Sequence, residues 1–409
     1  MGGDPRRIYV AYCALTGFAF HMAATATAVY LITRVGVNPL ELVLVGTVLE
    51  ITVALCEVPT GIVADTVSRK VSIVIGLVMM AGGFVLYAVP NYWVILAGQV
   101  VWGAGYTFTS GADVAWITDE VGEVDARPLY VRAAQARQLA HLLGIVAGAA
   151  MGVVALWAPI AIGGLLHLVI AGWLLVCMPE KGFVRPAPGE RHRTRDTVTH
   201  ARRTLRAHPA IYLVLGVVLL TGLASEAKDR LWELHLIVDT GMPGGVEPIV
   251  WIALLQFLGL VAAFGVTELI RRRADLQSDH GVERTIELVV GAMIVTTVLF
   301  GLASSFWLGA VLIVAMTGVW ESADPVVNAW VNRGLDPRSR ATINSFSSQA
   351  NALGQVAGGP VFGGIALAVS TPAALVIAGL VQLPSMFVLG RRRRMRLDVA
   401  PTSAADPVQ

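Results

Sequence analysis

The stretch Glu57-Val-Pro-Thr-Gly-Ile-Val-Ala-Asp-Thr-Val-Ser-Arg-Lys70 separates two long apolar runs of the sequence. Asp65 stands where the first run ends, and two basic residues precede the second run. At this place the Asp65 carboxylate can accept hydrogen bonds from backbone N–H groups or from Arg69. The stretch is typical of a turn between two membrane-crossing helices, and its basic residues predict that the turn is cytoplasmic.

The composition of the whole chain supports a membrane protein. Of its 409 residues, 56% are hydrophobic and 14% are charged, and the mean hydropathy is +0.69. The charged fraction is about half that of a typical soluble domain. One soluble core cannot bury so much apolar surface, so the lipid bilayer must be the solvent for most of the chain. We therefore predict an all-α membrane protein.

Twelve apolar segments follow one another along the chain, and we number them crossings 1 to 12. Each has about the 20 residues that a helix needs to cross the hydrocarbon core, some with extra length for tilt. The segments are residues 8–33, 40–64, 71–90, 92–118, 129–156, 159–178, 210–238, 246–270, 284–304, 306–331, 341–369 and 372–389.

The distribution of charge predicts the domain organisation and the orientation. Residues 179–209 carry eight basic and three acidic residues, which predicts a polar linker, either a solvated connector or one with a short surface helix beside anionic lipid. The predicted units are thus a first bundle (1–178), this linker, a second bundle (210–390) and a tail (391–409). With the N-terminus in the cytoplasm, 27 of the 30 Lys and Arg residues lie in inner segments, so both termini are predicted to be cytoplasmic.

An internal repeat supports two related bundles. His141-Leu-Leu-Gly-Ile-Val-Ala-Gly148 in crossing 5 and Asn351-Ala-Leu-Gly-Gln-Val-Ala-Gly358 in crossing 11 share Leu, Gly, Val, Ala and Gly at the same spacing. Upstream, Ala115-Trp-Ile117 in crossing 4 matches Ala329-Trp-Val331 in crossing 10. Two homologous halves of six helices each are the simplest explanation.

The pattern Gly61-x-x-x-Asp65-x-x-x-Arg69-Lys70 resembles the loop between helices 2 and 3 of the major facilitator superfamily of secondary transporters. Glu57-x-Pro-Thr-Gly resembles a subset of that family rich in bacterial drug exporters. The resemblance implies two pseudo-symmetric six-helix bundles that work by alternating access. It also implies a cytoplasmic gate, in which the Asp and the Arg form a latch close to the inner end of crossing 4. The gate residues are Gly61, Asp65, Arg69, Lys70 and Asp119.

Crossing 11 carries a glycine-proline pattern, Gly354-x-x-x-Gly358-Gly-Pro360, which resembles a signature that drug antiporters of the family place on helix 5. Here crossing 5 has Gly144 and Gly148 but no proline. Small residues at every fourth position allow helices to approach closely, so these residues predict packing between crossings 5 and 8 or 2 and 11. Helix packing without a meaning for transport direction is the alternative interpretation.

Polar residues inside the crossings indicate where a substrate or a proton would bind, because charges in a bilayer usually face a cavity or a partner. They concentrate in crossings 1, 4, 7 and 10, which line the central cavity in the family that the chain resembles. The predicted cavity residues are Glu226, Asp229, Arg230, Glu321, Asp324, Asp113, Asn328, His21, Tyr106 and Trp116. Two structural alternatives remain open, namely that Glu226 and Arg230 form a buried packing pair and that Asp113 only stabilises the end of crossing 4.

The sequence does not indicate an enzyme, a cofactor or a metal site. The phosphate-binding Gly-x-x-x-x-Gly-Lys pattern, Gly-x-Ser-x-Gly and His-Glu-x-x-His are absent. Cys13, Cys56 and Cys177 are far apart, so neither a disulfide framework nor a zinc site is predicted. Because the basic residues lie at segment ends instead of along one face, nucleic acid is not an expected partner.

We predict a monomeric, multi-pass transporter of a bacterial plasma membrane, with a small-molecule substrate, the lipid bilayer and protons as its partners. The leading hypothesis is proton-coupled export of a lipophilic or amphipathic compound. Many proton antiporters of the family carry an arginine midway along helix 4, where this chain has Gln99, so coupling must use other groups such as Glu226, Asp324 or Asp113. The alternatives are uptake of a polar metabolite, with Arg230 as its anion partner, and a membrane sensor that binds without transport.

Overall fold

The computed structural model describes residues 3–184, 210–275, 278–331 and 337–394, without the side chains of residues 210–211, 279–280, 324, 328–329, 337–342 and 390–394. Within these ranges the chain is helical and has no β-strand. Nine of the described helical segments are long and apolar enough to cross a membrane. The predicted all-α class is confirmed, and the helices follow the order of the twelve predicted crossings.

The first half contains seven helices. They are α1 (Pro5–Tyr30), α2 (Pro39–Thr66), α3 (Arg69–Tyr87), α4 (Tyr92–Thr109), α5 (Ala112–Val121), α6 (Glu123–Val154) and α7 (Trp157–Cys177). A π-helical turn, Leu31–Val35, continues α1. Crossing 4 is divided into α4 and α5 because Gly111 adopts a left-handed conformation, with φ of 74°, that ends the regular helix. The helix of crossing 5 begins at Glu123, six residues before the apolar run, because a helix outside the hydrocarbon core can continue with polar residues.

The second half follows the same plan with eight helices. They are α8 (Ala210–Leu234), α9 (Pro248–Arg273), α10 (Asp279–Gly301), α11 (Phe306–Glu321), α12 (Ala323–Val331), α13 (Pro337–Ala368), α14 (Thr371–Leu380) and α15 (Leu383–Arg394). A π-helical turn, His235–Asp239, continues α8 as its counterpart continues α1. Crossing 10 consists of α11 and α12, and crossing 12 of α14 and α15.

Local capping explains where α2 and α3 begin. Asn38 and Glu41 form a reciprocal capping box in which each side chain accepts a hydrogen bond, at 2.9 Å, from the backbone N–H of the other. The Ser68 hydroxyl accepts a hydrogen bond from the Val71 N–H at 3.0 Å and caps α3. We call the end of the bundle that carries Arg69 and Lys70 the basic end, and the end that carries Gly36 and Asn38 the opposite end.

Equivalent helices pack in the same way in the two halves. The α1–α6 contact in the first half corresponds to α8–α13 in the second, and α2–α4 corresponds to α9–α11. Between the halves, α2 packs on α13 and α6 packs on α9, which again are equivalent pairs. The sequence repeat therefore corresponds to two pseudo-symmetric bundles.

Glycines bring the two halves together at the opposite end. A Cβ atom on Gly363 would lie 2.9 Å from Leu40 Cδ1 and 3.2 Å from Leu40 Cα, so the backbones of α13 and α2 lie close to one another. Gly359 lies against Thr47 of α2, and Gly152 of α6 lies against Ile249 of α9. These residues hold the interface between the halves.

The four glycines predicted to pack between the halves instead pack within them. A Cβ on Gly144 would lie 2.8 Å from Phe18 O of α1, and Gly148 lies against Met22 of the same helix. Gly354 and Gly358 lie against the backbone of α8 around Leu223, a residue of their own half. The prediction of the partner helices was wrong for these four because the α1–α6 and α8–α13 contacts need small residues as much as the interface does. Pro360 lies inside α13 and is exposed.

Candidate functional site

The charges of α8 form ion pairs in the middle of the protein. Arg230 Nε lies 3.4 Å from Glu226 Oε1. The pair packs against Gly46 of α2 and occupies the position that a Cβ atom on this glycine would take. Lys228 Nζ lies 2.5 Å from Asp229 Oδ1 and 5.0 Å from the centre of the Trp320 ring. The charges of the second half thus reach the interface with the first half.

A first central cavity of about 230 Å³ lies between the halves. Its apolar wall consists mainly of small, aliphatic and aromatic residues of the first half, whereas its charged wall comes from α8. The first-half residues are Phe20, Ala24, Thr27, Ala28, Leu31, Leu42, Val45, Leu49, Gly83, Phe84, Tyr87, Gln99 and Trp102, and the α8 residues are Asp229, Arg230 and Glu233. The arrangement can bind a molecule that is apolar on one side and charged on the other.

Glu233 is the least compensated charge of this cavity. The residue is 6% exposed, and its buried Oε2 atom has no hydrogen-bond partner within the described residues. Burying a carboxylate oxygen without a partner is costly. A proton or a cationic group in the cavity would remove that cost.

A second central cavity of about 190 Å³ lies beside the first, and Ala24 and Asp229 line both. Its polar lining is more varied, with acidic, basic, amide and imidazole groups. The polar residues are His21, Thr25, His141, Lys228, Asp229, Gln256, Thr317 and Glu321. The rings of His21 and His141 are stacked, with centroids 3.2 Å apart.

A third and larger cavity, of about 620 Å³, lies within the first half toward the basic end, and we call it the vestibule. Residues of α1, α3, α4, α5, α6 and α7 line it. Among its polar residues are Tyr12, Tyr106, Asp113 and Arg137. The vestibule adjoins the central cavities, since Phe20 and Trp102 line both the vestibule and the first central cavity and His21 lines both the vestibule and the second.

Comparison with known proteins identifies the family. The pattern of the Major Facilitator Superfamily matches residues 10–358. The chain belongs to this superfamily. The uncharacterized MFS-type transporter YxaM of Bacillus subtilis (strain 168) is 20% identical over 90% of this chain and 91% of its own length.

Solved transporters of low sequence identity share the fold. The nucleoside transporter NupG covers 96% of this chain and 99% of its own, at 14% identity and a TM-score of 0.75. A POT family transporter in complex with 5-aminolevulinic acid covers 95% of both chains, at 10% identity and a TM-score of 0.74. The match to the superfamily makes the protein a multi-pass membrane transporter, and these solved structures share its fold.

Within the superfamily fold, the predicted cavity residues lie in several places. Asp229 and Arg230 line the first central cavity, and Glu321 and Asp229 line the second. Asp113 and Tyr106 line the vestibule instead. Glu226 is 1% exposed and does not line any of the three cavities, because it is paired with Arg230 against α2. The side chains of Asp324 and Asn328 lie outside the described residues.

Trp116 was wrongly placed in the central cavity. Its ring is 2% exposed, and its Nε1–H donates a hydrogen bond at 2.7 Å to the Pro179 carbonyl. The prediction assumed one continuous helix from Tyr106 to Trp116, but the break at Gly111 changes the phase of α5 relative to α4. The side chain therefore points into the protein.

Sequence reasoning missed Arg137 and His141. Arg137 was counted among the basic residues of an inner segment, whereas it lines the vestibule and donates a hydrogen bond to Cys13 Sγ at 3.3 Å. His141, four residues later, stacks on His21 at the second central cavity. The spacing of four within one crossing was a signal that both residues share a helix face.

The predicted gate residues lie together at the basic end of the first half. The Arg69 guanidinium donates a hydrogen bond to Asp65, and its Nε lies 3.6 Å from Asp119 Oδ2. Lys70 Nζ donates hydrogen bonds to the carbonyls of Leu175, at 2.9 Å, and Met178, at 2.8 Å. Gly61 has no described atom within 4 Å of the position a Cβ would take, so it is not part of this contact.

The beginning of the linker also belongs to this cluster, which the sequence did not indicate. The Glu180 carboxylate accepts hydrogen bonds from the Ser68 hydroxyl at 2.6 Å and from the Lys70 N–H at 2.9 Å. The Glu120 carboxylate accepts hydrogen bonds from the N–H groups of Lys181 and Gly182. The first linker residues are thus fastened to the start of α3 and the end of α5.

Proposed function

We propose that this protein is a proton-coupled secondary transporter that exports a small amphipathic organic molecule by alternating access. The observation that carries the proposal is the first central cavity, where an apolar and aromatic wall of the first half faces Asp229, Arg230 and Glu233 of the second. Apolar parts of a substrate gain from burial against the first wall, and a charged group gains from the second.

Glu233 is the carboxylate that we assign to coupling. Arg230 is engaged by Glu226 and Lys228 by Asp229, whereas Glu233 Oε2 is buried without a hydrogen-bond partner within the described residues. A proton and a cationic substrate group can each neutralise this carboxylate, and the two compete for the same site. Competition of this kind is what an antiporter requires.

The packing of the halves supports a conformation that is open at the basic end. The close contacts of Gly152, Gly359 and Gly363 join the halves at the opposite end. With the predicted orientation, the basic end faces the cytoplasm, so the conformation is the inward-facing state of the proposed cycle. A cytoplasmic substrate would enter the central cavities from this side.

Inverted membrane vesicles with an imposed pH gradient test the proposal. Vesicles with the unaltered protein should accumulate a cationic amphipathic dye when the interior is acidic, and Glu233→Gln should abolish the accumulation. Glu123→Gln is the matched control, since that side chain is 77% exposed at the basic end and pairs only with Arg127 among the described residues. Equal accumulation with Glu233→Gln and the unaltered protein would refute the coupling role.

Uptake of a polar metabolite is the second candidate, because Arg230 lines the first central cavity and can bind a carboxylate. One of the structurally similar proteins is a nucleoside transporter, and another was solved in complex with 5-aminolevulinic acid. Polar solutes are therefore reasonable substrates to test. Uptake would be favoured if a radiolabelled polar solute entered intact cells in response to the proton gradient and did not leave cells loaded with it. Binding without counterflow in proteoliposomes would indicate a sensor.

A further inference from the structure

The vestibule exists because crossing 4 is broken. Ser110 and Gly111 leave the helical path between α4 and α5, and both residues line the cavity together with Thr109. The resulting space, about 620 Å³, exceeds the two central cavities of about 230 and 190 Å³. It falls within the roughly 300–1,000 Å³ typical of small-molecule sites. Broken helices commonly line ligand sites in transporters.

Two charges of opposite sign, Asp113 and Arg137, line the vestibule and make no direct ion-pair contact among the described residues. Asp113 Oδ1 accepts a hydrogen bond from the Val114 N–H at 2.8 Å, and Arg137 donates one to Cys13 Sγ at 3.3 Å. A thiol is a weak acceptor, so most of the guanidinium donors remain free. Within the same residues neither group has an ion-pair partner at 4.0 Å or less, nor do they pair with each other.

An aromatic surface lies beside these charges. The Tyr106 ring stacks on Trp102 with centroids 5.7 Å apart and an interplanar angle of 8°. Tyr106 is 42% exposed, and both rings line the vestibule. Asp113, Arg137 and Tyr106 line the vestibule and neither central cavity. A ligand held by these three residues would therefore contact a different set of side chains from a ligand held by Asp229, Arg230 and Glu233.

We propose that the vestibule is a second ligand-binding site, which takes a small zwitterion with an aromatic or apolar body. The carboxylate of the ligand pairs with Arg137, its ammonium group pairs with Asp113, and its body packs on Tyr106. A ligand with both charges satisfies both protein groups, whereas a ligand with one charge leaves the other unpaired. None of these three residues lines a central cavity, and the site does not use Glu233.

Calorimetry on the full-length protein in lipid nanodiscs tests this site with three matched probes. L-phenylalanine carries both charges, 2-phenylethylamine only the ammonium group, and 3-phenylpropionate only the carboxylate. We expect L-phenylalanine to bind and each single-charge analogue to bind at least about tenfold more weakly, since a hydrogen-bonded charge pair contributes about 1.5–3 kcal/mol. This comparison uses only the unaltered protein, so it does not depend on how a variant folds.

Variants locate the binding. Arg137→Gln and Asp113→Asn should each weaken L-phenylalanine binding at least about tenfold. Arg132→Gln is the matched control, because Arg132 is an exposed residue on the same helix and outside the vestibule lining. Asp229→Asn alters both central cavities and should leave this binding unchanged, which separates the vestibule from the proposed transport site.

Three results would overturn the proposal. The first is equal binding of the zwitterion and either analogue, and the second is L-phenylalanine binding that Asp229→Asn removes while Arg137→Gln does not. The third is a lack of binding, at up to about 10 mM, by every member of a set made of L-phenylalanine, L-tyrosine, L-leucine and glycyl-phenylalanine. A lack of dye transport by the unaltered protein would contradict the proposed export, whereas the binding measurements test the vestibule separately.

Discussion

At the scale of single residues, the Glu226–Arg230 pair joins a cavity residue, Arg230, to a buried residue, Glu226, that packs against α2. Its nitrogen and oxygen are 3.4 Å apart, and the Glu226 side chain is 2% exposed. A buried pair loses more stability when one partner is removed than when both are replaced, because the remaining charge is left uncompensated. The structure thus favours the packing role that the sequence left as an alternative.

A double-mutant cycle measures this role. Glu226→Gln alone should destabilise the protein by about 3–5 kcal/mol, whereas adding Arg230→Gln should restore a large part of that loss. Thermal unfolding of the purified variants in one detergent is the measurement. Additive losses in the double variant would show that the two residues act separately and would contradict the packing role.

The glycines of α13 differ in how much space surrounds them. A Cβ on Gly354 would lie 2.7 Å from Leu223 N, which is backbone and cannot rotate away, whereas Gly364 has no described atom within 4 Å. We expect Gly354→Ala to lower stability by about 1–3 kcal/mol and Gly364→Ala to leave it unchanged or slightly raised. The two unfolding midpoints provide the comparison, and equal midpoints would contradict the close packing of α13 on α8.

At the scale of helices, the breaks in the crossings determine where side chains point. Hydropathy predicts that residues 92–118 cross the membrane, but it does not indicate that Gly111 divides them into two helices with different phases. For this reason the crossings were predictable and the position of Trp116 was not. Spacing identifies a common face only as far as one helix continues.

The cluster at the basic end gives a prediction about turnover. Asp65→Asn should slow transport by about two- to fivefold and leave substrate affinity nearly unchanged, because an exposed ion pair contributes up to about 1 kcal/mol. Asp65 is 61% exposed and lies far from the central cavities along α2. Transport rates and substrate affinity measured in the same proteoliposomes test this, with Glu123→Gln as the control. A normal transport rate in Asp65→Asn would show that residues 57–70 form a simple turn without a role in turnover.

At the scale of the whole molecule, the sequence and the structure agree best on architecture. The order of the crossings and the repeat between His141–Gly148 and Asn351–Gly358 correspond to equivalent helix pairs in the two halves. The site was only partly predictable, since Asp229 and Arg230 follow from charge in an apolar segment whereas the vestibule depends on how six helices meet. Contacts between distant segments leave no local pattern in the sequence.

The orientation of the bundle remains a prediction that labelling can test. Single cysteines at Gly244, between α8 and α9 at the opposite end, and at Val124, which is 78% exposed at the basic end, are suitable sites. In a background without the three natural cysteines, a membrane-impermeant maleimide should label Gly244→Cys in intact cells and Val124→Cys only after lysis. The reverse pattern would place the basic end outside.

The anchoring of Glu180, Lys181 and Gly182 has a mechanical consequence for the connection between the halves. The last helix of the first half ends at Cys177, yet the chain stays bound to the first half as far as Gly182. A pulling force that the linker transmits from the second half therefore acts on the start of α3 and the end of α5 instead of on the end of α7. The ion pairs of Arg69 with Asp65 and Asp119 lie at the same place. A rocking movement of one half relative to the other would therefore strain these ion pairs, which are the contacts predicted to form the latch.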